Sequence, residues 1–263
     1  AKAFVCESPV SQIARQNSQL IRISVTGTTA ESIDVGSNAG MKINGGWGYN
    51  VIDSLGYGIR SGTQDLFVVD GDGTFTNLGT VAGMGNTKGS NAGDILPDGT
   101  MIFKNNRGTI MTLDLTSEPY TINSSFNLTG PASNASYVDM ALNPVDGKMY
   151  AVDSKTDRVF YFDVDTGATT YFGNSNLTGT YGAQWFDEDG YFYAYDNGTN
   201  NLFIIDAGVL GSGTGDATYI ATSPIDEGGT NDGLSCRGPA LLPLLDYGDA
   251  APSYGDSPHR VAA

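Results

Sequence analysis

Carboxylates dominate the chemistry this sequence can offer. Of its 29 acidic residues only Glu7, Glu31, Glu118, Glu188 and Glu227 are Glu, and the rest are Asp. A short carboxylate close to the backbone suits tight turns and hard-cation coordination. Histidine occurs once, at His259 near the C-terminal end, so a Ser-His-Asp triad, a Cys-His dyad or a His-rich zinc site has nothing to build on in the body of the chain. No Gly-x-Gly-x-x-Gly opens a helix and no phosphate loop occurs. Glycoside hydrolysis is the enzymatic option that remains, because it needs only two carboxylates roughly 5–10 Å apart. One of them must act as an acid with a raised pKa, often a Glu, and none of the Glu residues falls on a predicted inner strand. An Asp pair would have to serve instead.

Five polar residues recur once per repeat on predicted inner strands: Asn50, Asp94, Asp139, Gln184 and Asp232. If these strands line a channel, the side chains converge, and carboxylates with amide oxygens suit calcium, which takes about six to eight oxygen ligands. The competing reading is a water-filled rim in which each side chain bonds a neighbouring strand. Calcium is the one cofactor suggested, and none is required. Asp70-Gly71-Asp72-Gly73 and Asp163-Val164-Asp165-Thr166-Gly167 look like fragments of calcium loops, but they lack the closing Glu of an EF-hand and sit at a repeat position, so they read as strand-connecting turns. Trp47 and Trp185 flank inner strands; exposed they would stack on sugars, buried they would pack between repeats. Asn123, Asn127, Asn134, Asn176 and Asn197 each begin an Asn-x-Ser/Thr sequon, usable only in a host that glycosylates.

The elements that must position these residues are repeats. Leu66-Phe67-Val68-Val69-Asp70, Ile110-Met111-Thr112-Leu113-Asp114, Val159-Phe160-Tyr161-Phe162-Asp163 and Leu202-Phe203-Ile204-Ile205-Asp206 each join an apolar run to an Asp, at Asp spacings of 44, 49 and 43 residues. A weaker copy, Leu20-Ile21-Arg22-Ile23-Ser24, lies 46 residues before the first. Upstream of the copies come the turns Asp98-Gly99, Asp146-Gly147 and Asp189-Gly190, and more loosely Asp53 to Gly56; Asp-Gly favours the positive φ of a hairpin. Aromatic and β-branched runs such as Tyr191-Phe192-Tyr193-Ala194-Tyr195 flank them. Four strands per unit of 40–50 residues predict an all-β, five-bladed β-propeller over residues 1–243, with antiparallel blades. A Gly/Pro/Asp/Tyr-rich tail or linker, 244–263, follows.

The N-terminal unit lacks an inner strand, and Asn231 to Cys236 is an inner strand without a blade, so the two together make the closing blade. The only cysteines, Cys6 and Cys236, fall on these two pieces. A disulfide between them would lock the closure, worth about 5 kcal/mol in the chain-entropy model, and would imply an oxidising compartment. Two buried free thiols are the alternative.

A formal net charge of −16 and a pI near 4.1 repel nucleic acid and anionic membrane surfaces. No run of about 18 apolar residues would insert into a membrane. Ala1-Lys2-Ala3-Phe4 is compatible with a mature end left by signal-peptide cleavage.

Phe4-Val5-Cys6, Leu20-Ile21-Arg22-Ile23, Gly48-Tyr49-Asn50-Val51, Gly56-Tyr57-Gly58-Ile59, Asn91-Ala92-Gly93-Asp94 and Asn143 through Tyr150 together resemble an uncharacterised propeller-like domain of bacterial and fungal surface proteins, of the DUF6923 type. Asp246-Tyr247-Gly248-Asp249-Ala250 and Pro252-Ser253-Tyr254-Gly255 resemble the opening of a GEVED-type module of large bacterial surface proteins. The resemblance implies a place in a long extracellular protein and no known enzymatic activity. The expectation is a secreted or cell-surface, non-catalytic structural or interaction module: an adhesin segment or a filament subunit. Its partners would be a protein or glycan, or other copies of itself engaged through Tyr247 and Tyr254 of the tail. A lectin-like propeller is the runner-up and a glycoside hydrolase the third reading.

Overall fold

The computed structural model describes residues 1–6, 10–14, 17–26, 29–173, 176–208, 211–222, 231–236, 245–246 and 259–260. Four consecutive meanders account for the centre of the chain. The first joins β4 (Gly45–Asn50), β5 (Leu55–Arg60), β6 (Asp65–Val69) and β7 (Phe75–Thr80). The second joins β8 (Gly89–Ile95), β9 (Thr100–Asn105), β10 (Ile110–Asp114) and β11 (Ile122–Phe126). The third joins β12 (Ala141–Leu142), β13 (Met149–Asp153), β14 (Arg158–Phe162) and β15 (Thr169–Phe172). The fourth joins β16 (Tyr181–Phe186), β17 (Phe192–Asp196), β18 (Asn201–Ile205) and β19 (Ala217–Thr222). A closing meander is built from both ends of the sequence: β1 (Val10–Ala14), β2 (Gln19–Thr26) and β3 (Thr29–Val35) follow one another, and β20 (Asn231–Ser235) pairs antiparallel with β1, from Val10 opposite Ser235 to Ala14 opposite Asn231.

The described residues are thus all-β, with three four-stranded antiparallel sheets, one eight-stranded sheet and a two-stranded ribbon near the C-terminal end. The eight-stranded sheet is two four-stranded meanders, joined where Thr222 of β19 lies parallel to Thr29 of β3. First strands are neighbours in the cyclic order β4, β8, β12, β16, β20 and back to β4. Five apolar clusters fill the seams between successive sheets. Trp47, Tyr49 and Phe67 meet Ile13, Leu20 and Leu234 in one of them, while Trp185, Tyr193 and Leu202 meet Ile21 and Ile23 in another. Each fully buried Leu, Ile or Phe contributes about 1.5–3 kcal/mol. Burial explains the sequence pattern: β13 and β17, flanked by sheets on both faces, are buried at every residue, whereas the last strands β7 and β11 are largely exposed and polar.

The Asp-Gly turns behave as their chemistry predicts, with Gly99, Gly147 and Gly190 at φ of 87°, 71° and 85°. In the looser turn after β4 the left-handed residue is Ser54, at φ 61°, and Gly56 lies inside β5. Three of these turns carry an aspartate that receives a tyrosine hydroxyl: Tyr57 on Asp53 at 2.6 Å, Tyr150 on Asp146 at 2.6 Å, and Tyr193 on Asp187 at 2.8 Å. In the tail, β21 (Leu245–Asp246) pairs with β22 (His259–Arg260). Tyr247 and Tyr254 lie outside the described residues.

Candidate functional site

Where the first strands converge, the polar series splits. Asp139, just ahead of β12, and Asp232, on β20, are wholly buried, and Gln184 of β16 is nearly so. Each accepts a backbone amide from a neighbouring strand. Asp139 Oδ1 accepts from Met140 N at 2.8 Å and Oδ2 from Gln184 N at 2.5 Å. Gln184 reaches back: its Nε2 donates to the Asp139 carbonyl at 3.2 Å, and its Oε1 accepts from Val152 N at 3.1 Å. Asp94 accepts from Ile95 N at 2.7 Å and from Leu142 N, one sheet further on, at 2.8 Å. Asp232 Oδ2 accepts from Gly45 N of β4 at 3.3 Å, and its Oδ1 is buried without a hydrogen-bond partner. Such clamps tie one first strand to the next, which is the strand-bonding alternative to a calcium site.

Asn50 does not join this group. It closes its own turn, accepting from Ile52 N at 3.1 Å, as Asn143 does from Val145 N at 2.9 Å. The turns that follow the first strands differ in length, so equal spacing along the sequence does not place Asn50 at the axis. On β4 the axial positions fall instead on glycines. A Cβ at Gly46 would stand 2.6 Å from the Ala92 backbone, and one at Gly48 would stand 2.8 Å from Asp94 Cα. Gly233 plays the same part on β20, where a Cβ would meet the Gln184 carbonyl oxygen at 2.6 Å.

Desolvation is the main cause that pushes Asp139 and Asp232 well above the usual carboxylate range; the charge of Asp94 raises Asp139 further, and that of Asp139 raises Asp232. Lys104 completes the electrostatics. Burial lowers it to about 8, against the opposing pull of Asp139, while its Nζ donates to the Tyr137 carbonyl at 2.5 Å and sits 3.8 Å from the centre of that tyrosine's ring. The sequence reading missed Lys104; a lone cation ending the apolar run Met101-Ile102-Phe103 was the available signal.

The other expected residues are scattered. Trp47 and Trp185 are buried in the seams, Trp47 Nε1 donating to the Ile43 carbonyl at 3.0 Å and Trp185 stacking on Tyr193 with ring centroids 5.9 Å apart. This corrects the exposed sugar-stacking role considered for them: both have neighbouring sheets over their faces. Asp70 and Asp163 cap turns, each accepting two backbone amides of its own turn, and Asp70 also accepts from Lys2 N at 3.1 Å. Glu31, Glu118 and Glu188 are exposed, and Glu7 and Glu227 lie outside the described residues. Among the described residues no group of three or more His, Cys, Asp or Glu is disposed to hold a metal. Asn123, Asn127 and Asn134 are exposed. Asn176 exchanges two hydrogen bonds with the backbone of Ala217, and half-buried Asn197 accepts from Asn231 at 2.7 Å.

The cysteines meet. Both are thiols here, and Cys6 Sγ lies 3.0 Å from the Cys236 carbonyl oxygen and 3.8 Å from the Tyr49 hydroxyl. The Cys236 side chain beside it is the main influence holding the Cys6 thiol down at about 7.

Away from the axis, a cleft of about 530 Å³ opens between the third and fourth sheets. It is lined by the turn residues Val145, Asp189 and Tyr191 and by Asp206, Asp216 and Thr218 around the β18–β19 connection.

Residues 10–238 match the model of a repeat of unknown function, DUF6923. No curated protein sequence matches the chain. Solved structures similar to it include a streptogramin B lyase (13% identity, 68% of this chain and 54% of that one, TM-score 0.43). A structural genomics protein of unknown function from Bacteroides thetaiotaomicron matches at 14% identity over 78% of this chain and 58% of that one, TM-score 0.52. The gluconolactonase XC5397 from Xanthomonas campestris matches at 11% identity over 84% and 78%, TM-score 0.50. The chain spans little more than half the length of the first two, and at these identities the likeness concerns the fold alone.

Proposed function

The chain belongs to the family of repeats of unknown function DUF6923, and from that premise we propose that it is a five-bladed β-propeller serving as a non-catalytic structural and interaction module of a secreted or cell-surface protein. The cyclic order of first strands and the five apolar seams support the propeller. One observation carries the non-catalytic reading: Asp139 and Asp232 on the axis are wholly buried, and Asp94, Asp139 and Asp232 each accept a backbone amide of an adjacent strand. A catalytic pair must instead reach a substrate. Calcium fits the axis less well than strand clamping does, because Asp94 and Asp139 already receive an amide on each oxygen. The lectin-like alternative loses both tryptophans to the core.

Chromogenic glycosides and simple lactones test this directly. No turnover above buffer is expected. Turnover that disappears in a folded Asp139→Asn variant would sink the reading. Self-assembly through residues 244–263, in keeping with their likeness to a GEVED-type opening, belongs to the same proposal. Light scattering on the full chain and on one ending at Pro243 tests it, and two monomers at high concentration would dismiss it.

A further inference from the structure

The cleft between the third and fourth sheets has a composition that the axis lacks. Its volume, about 530 Å³, is within the ~300–1,000 Å³ typical of ligand sites. Gly190, at φ 85°, lets the turn after β16 abut the preceding sheet: a Cβ there would lie 2.9 Å from Val145 Cγ2 and 3.4 Å from Asn143 Oδ1. Above this floor Val145 and Tyr191 stand 52% and 41% exposed. Asp189, Asp206 and Asp216 are exposed in the walls, and among the described residues no Lys or Arg lines the cleft. Thr214 fixes Asp206, its amide and hydroxyl each donating to Oδ2 at 3.0 Å.

Apolar exposure continues along the same end of the sheets. Val51 and Ile52, in the equivalent turn after β4, are also exposed, and Gly99 abuts Ile52 as Gly190 abuts Val145. Large side chains are thus left in water in equivalent turns of the first, third and fourth sheets. Three carboxylates without a cation repel one another, and a positive group entering the cleft relieves that repulsion. The net charge of −16 attracts such a partner from a distance.

We propose that this cleft docks a polypeptide segment that presents a cationic side chain beside an aliphatic one. The cation sits among Asp189, Asp206 and Asp216 and against the ring of Tyr191, and the aliphatic group covers Val145. This rests on the interaction-module reading and names its partner class and its face.

Fluorescence anisotropy with a labelled peptide of two arginines flanked by leucines tests it. Tyr191→Ala and Asp216→Asn should each weaken binding by about threefold to tenfold, and added salt should weaken it further. Glu31→Gln removes a similar charge on the exposed strand β3 and should change nothing. All three positions are exposed, and unchanged melting temperatures would verify folding. No binding, or equal weakening by Glu31→Gln, overturns the proposal. So does Tyr191-dependent binding of neutral oligosaccharides in place of the peptide. Glycoside or lactone turnover would instead overturn the non-catalytic reading, so the two failures are distinguishable.

Discussion

The sulfur of Cys6 lies 3.0 Å from the carbonyl oxygen of Cys236, across the seam where the N-terminal and C-terminal strands share one sheet. Incubation with glutathione disulfide should join the two: both thiols lose a proton, the pair gives up two electrons, and the oxidant leaves as two glutathione thiols. Mass spectrometry should find an intramolecular bond, forming faster as pH rises through about 7, where Cys6 ionises. Thermal stability should rise, by up to about 5 kcal/mol in the chain-entropy model, and Cys236→Ser should abolish the gain. A chain that stays reduced under these conditions would remove the staple.

Asp232 predicts a pH dependence of opposite sign to that of surface carboxylates. Its folded pKa lies above its unfolded one, so its contribution to stability is complete below the unfolded value, near 4, and is lost as pH rises through the folded value. Asp139, whose charge raises Asp232 further, acts the same way, whereas Lys104, lowered to about 8, favours the folded state as pH climbs from there toward 10.5. Urea titrations of wild type and Asp232→Asn between pH 5 and 7.5 should show the stability difference shifting in favour of the variant as pH rises. A constant difference would show that Asp232 does not titrate in this range. Asp163, held down at about 2 chiefly by Lys148, contributes fully above the unfolded value near 4 and loses that contribution as pH falls from there through about 2.

The tyrosine–aspartate clamps are measurable one at a time. Tyr150→Phe leaves the ring in the seam and strips its hydrogen bond from Asp146, at an expected cost of about 1–2 kcal/mol. Tyr191→Phe, on an exposed turn, should cost nothing measurable. Chemical denaturation compares them, and equal effects would deny the clamp a structural role.

Glycine at the axis is a steric requirement. Gly233→Ala drives a methyl against the Gln184 backbone, so it should destabilise by about 3 kcal/mol or more. Gly198→Ala meets only the Asp196 carboxylate at 3.5 Å and should be tolerated. Their melting temperatures decide, and a tolerated Gly233→Ala would mean that these strands can part.

The repeats were legible because each copy joins an apolar run to a turn-capping Asp, and both follow from local chemistry. The contribution of β20 to the N-terminal sheet was legible for a similar reason: two incomplete units and two cysteines fell on the same pieces. The axis was only partly readable. Asp94, Asp139, Gln184 and Asp232 were found by their spacing, but Asn50 was misplaced, because turn lengths differ and periodicity does not fix which residue of a strand faces inward. The decisive residues on β4 are glycines, which carry no side-chain signal at all. Trp47 and Trp185 took the packing alternative of the two that their position on first strands offered, because neighbouring sheets cover both faces of each ring. The cleft around Tyr191 draws residues from Asn143 to Thr218, a long-range assembly that no motif announces.

The pairing of β20 with β1 also sets an order of events during synthesis. Three strands of the closing sheet leave the ribosome before the other four sheets, and their partner is made only after nearly two hundred further residues. Throughout that interval the free edge of β1 is open to any strand that arrives, including one from another copy. Chains translated close together on one messenger would therefore be prone to exchange β20 before each completes its own sheet, so dimers linked by swapped strands should become more abundant at higher expression.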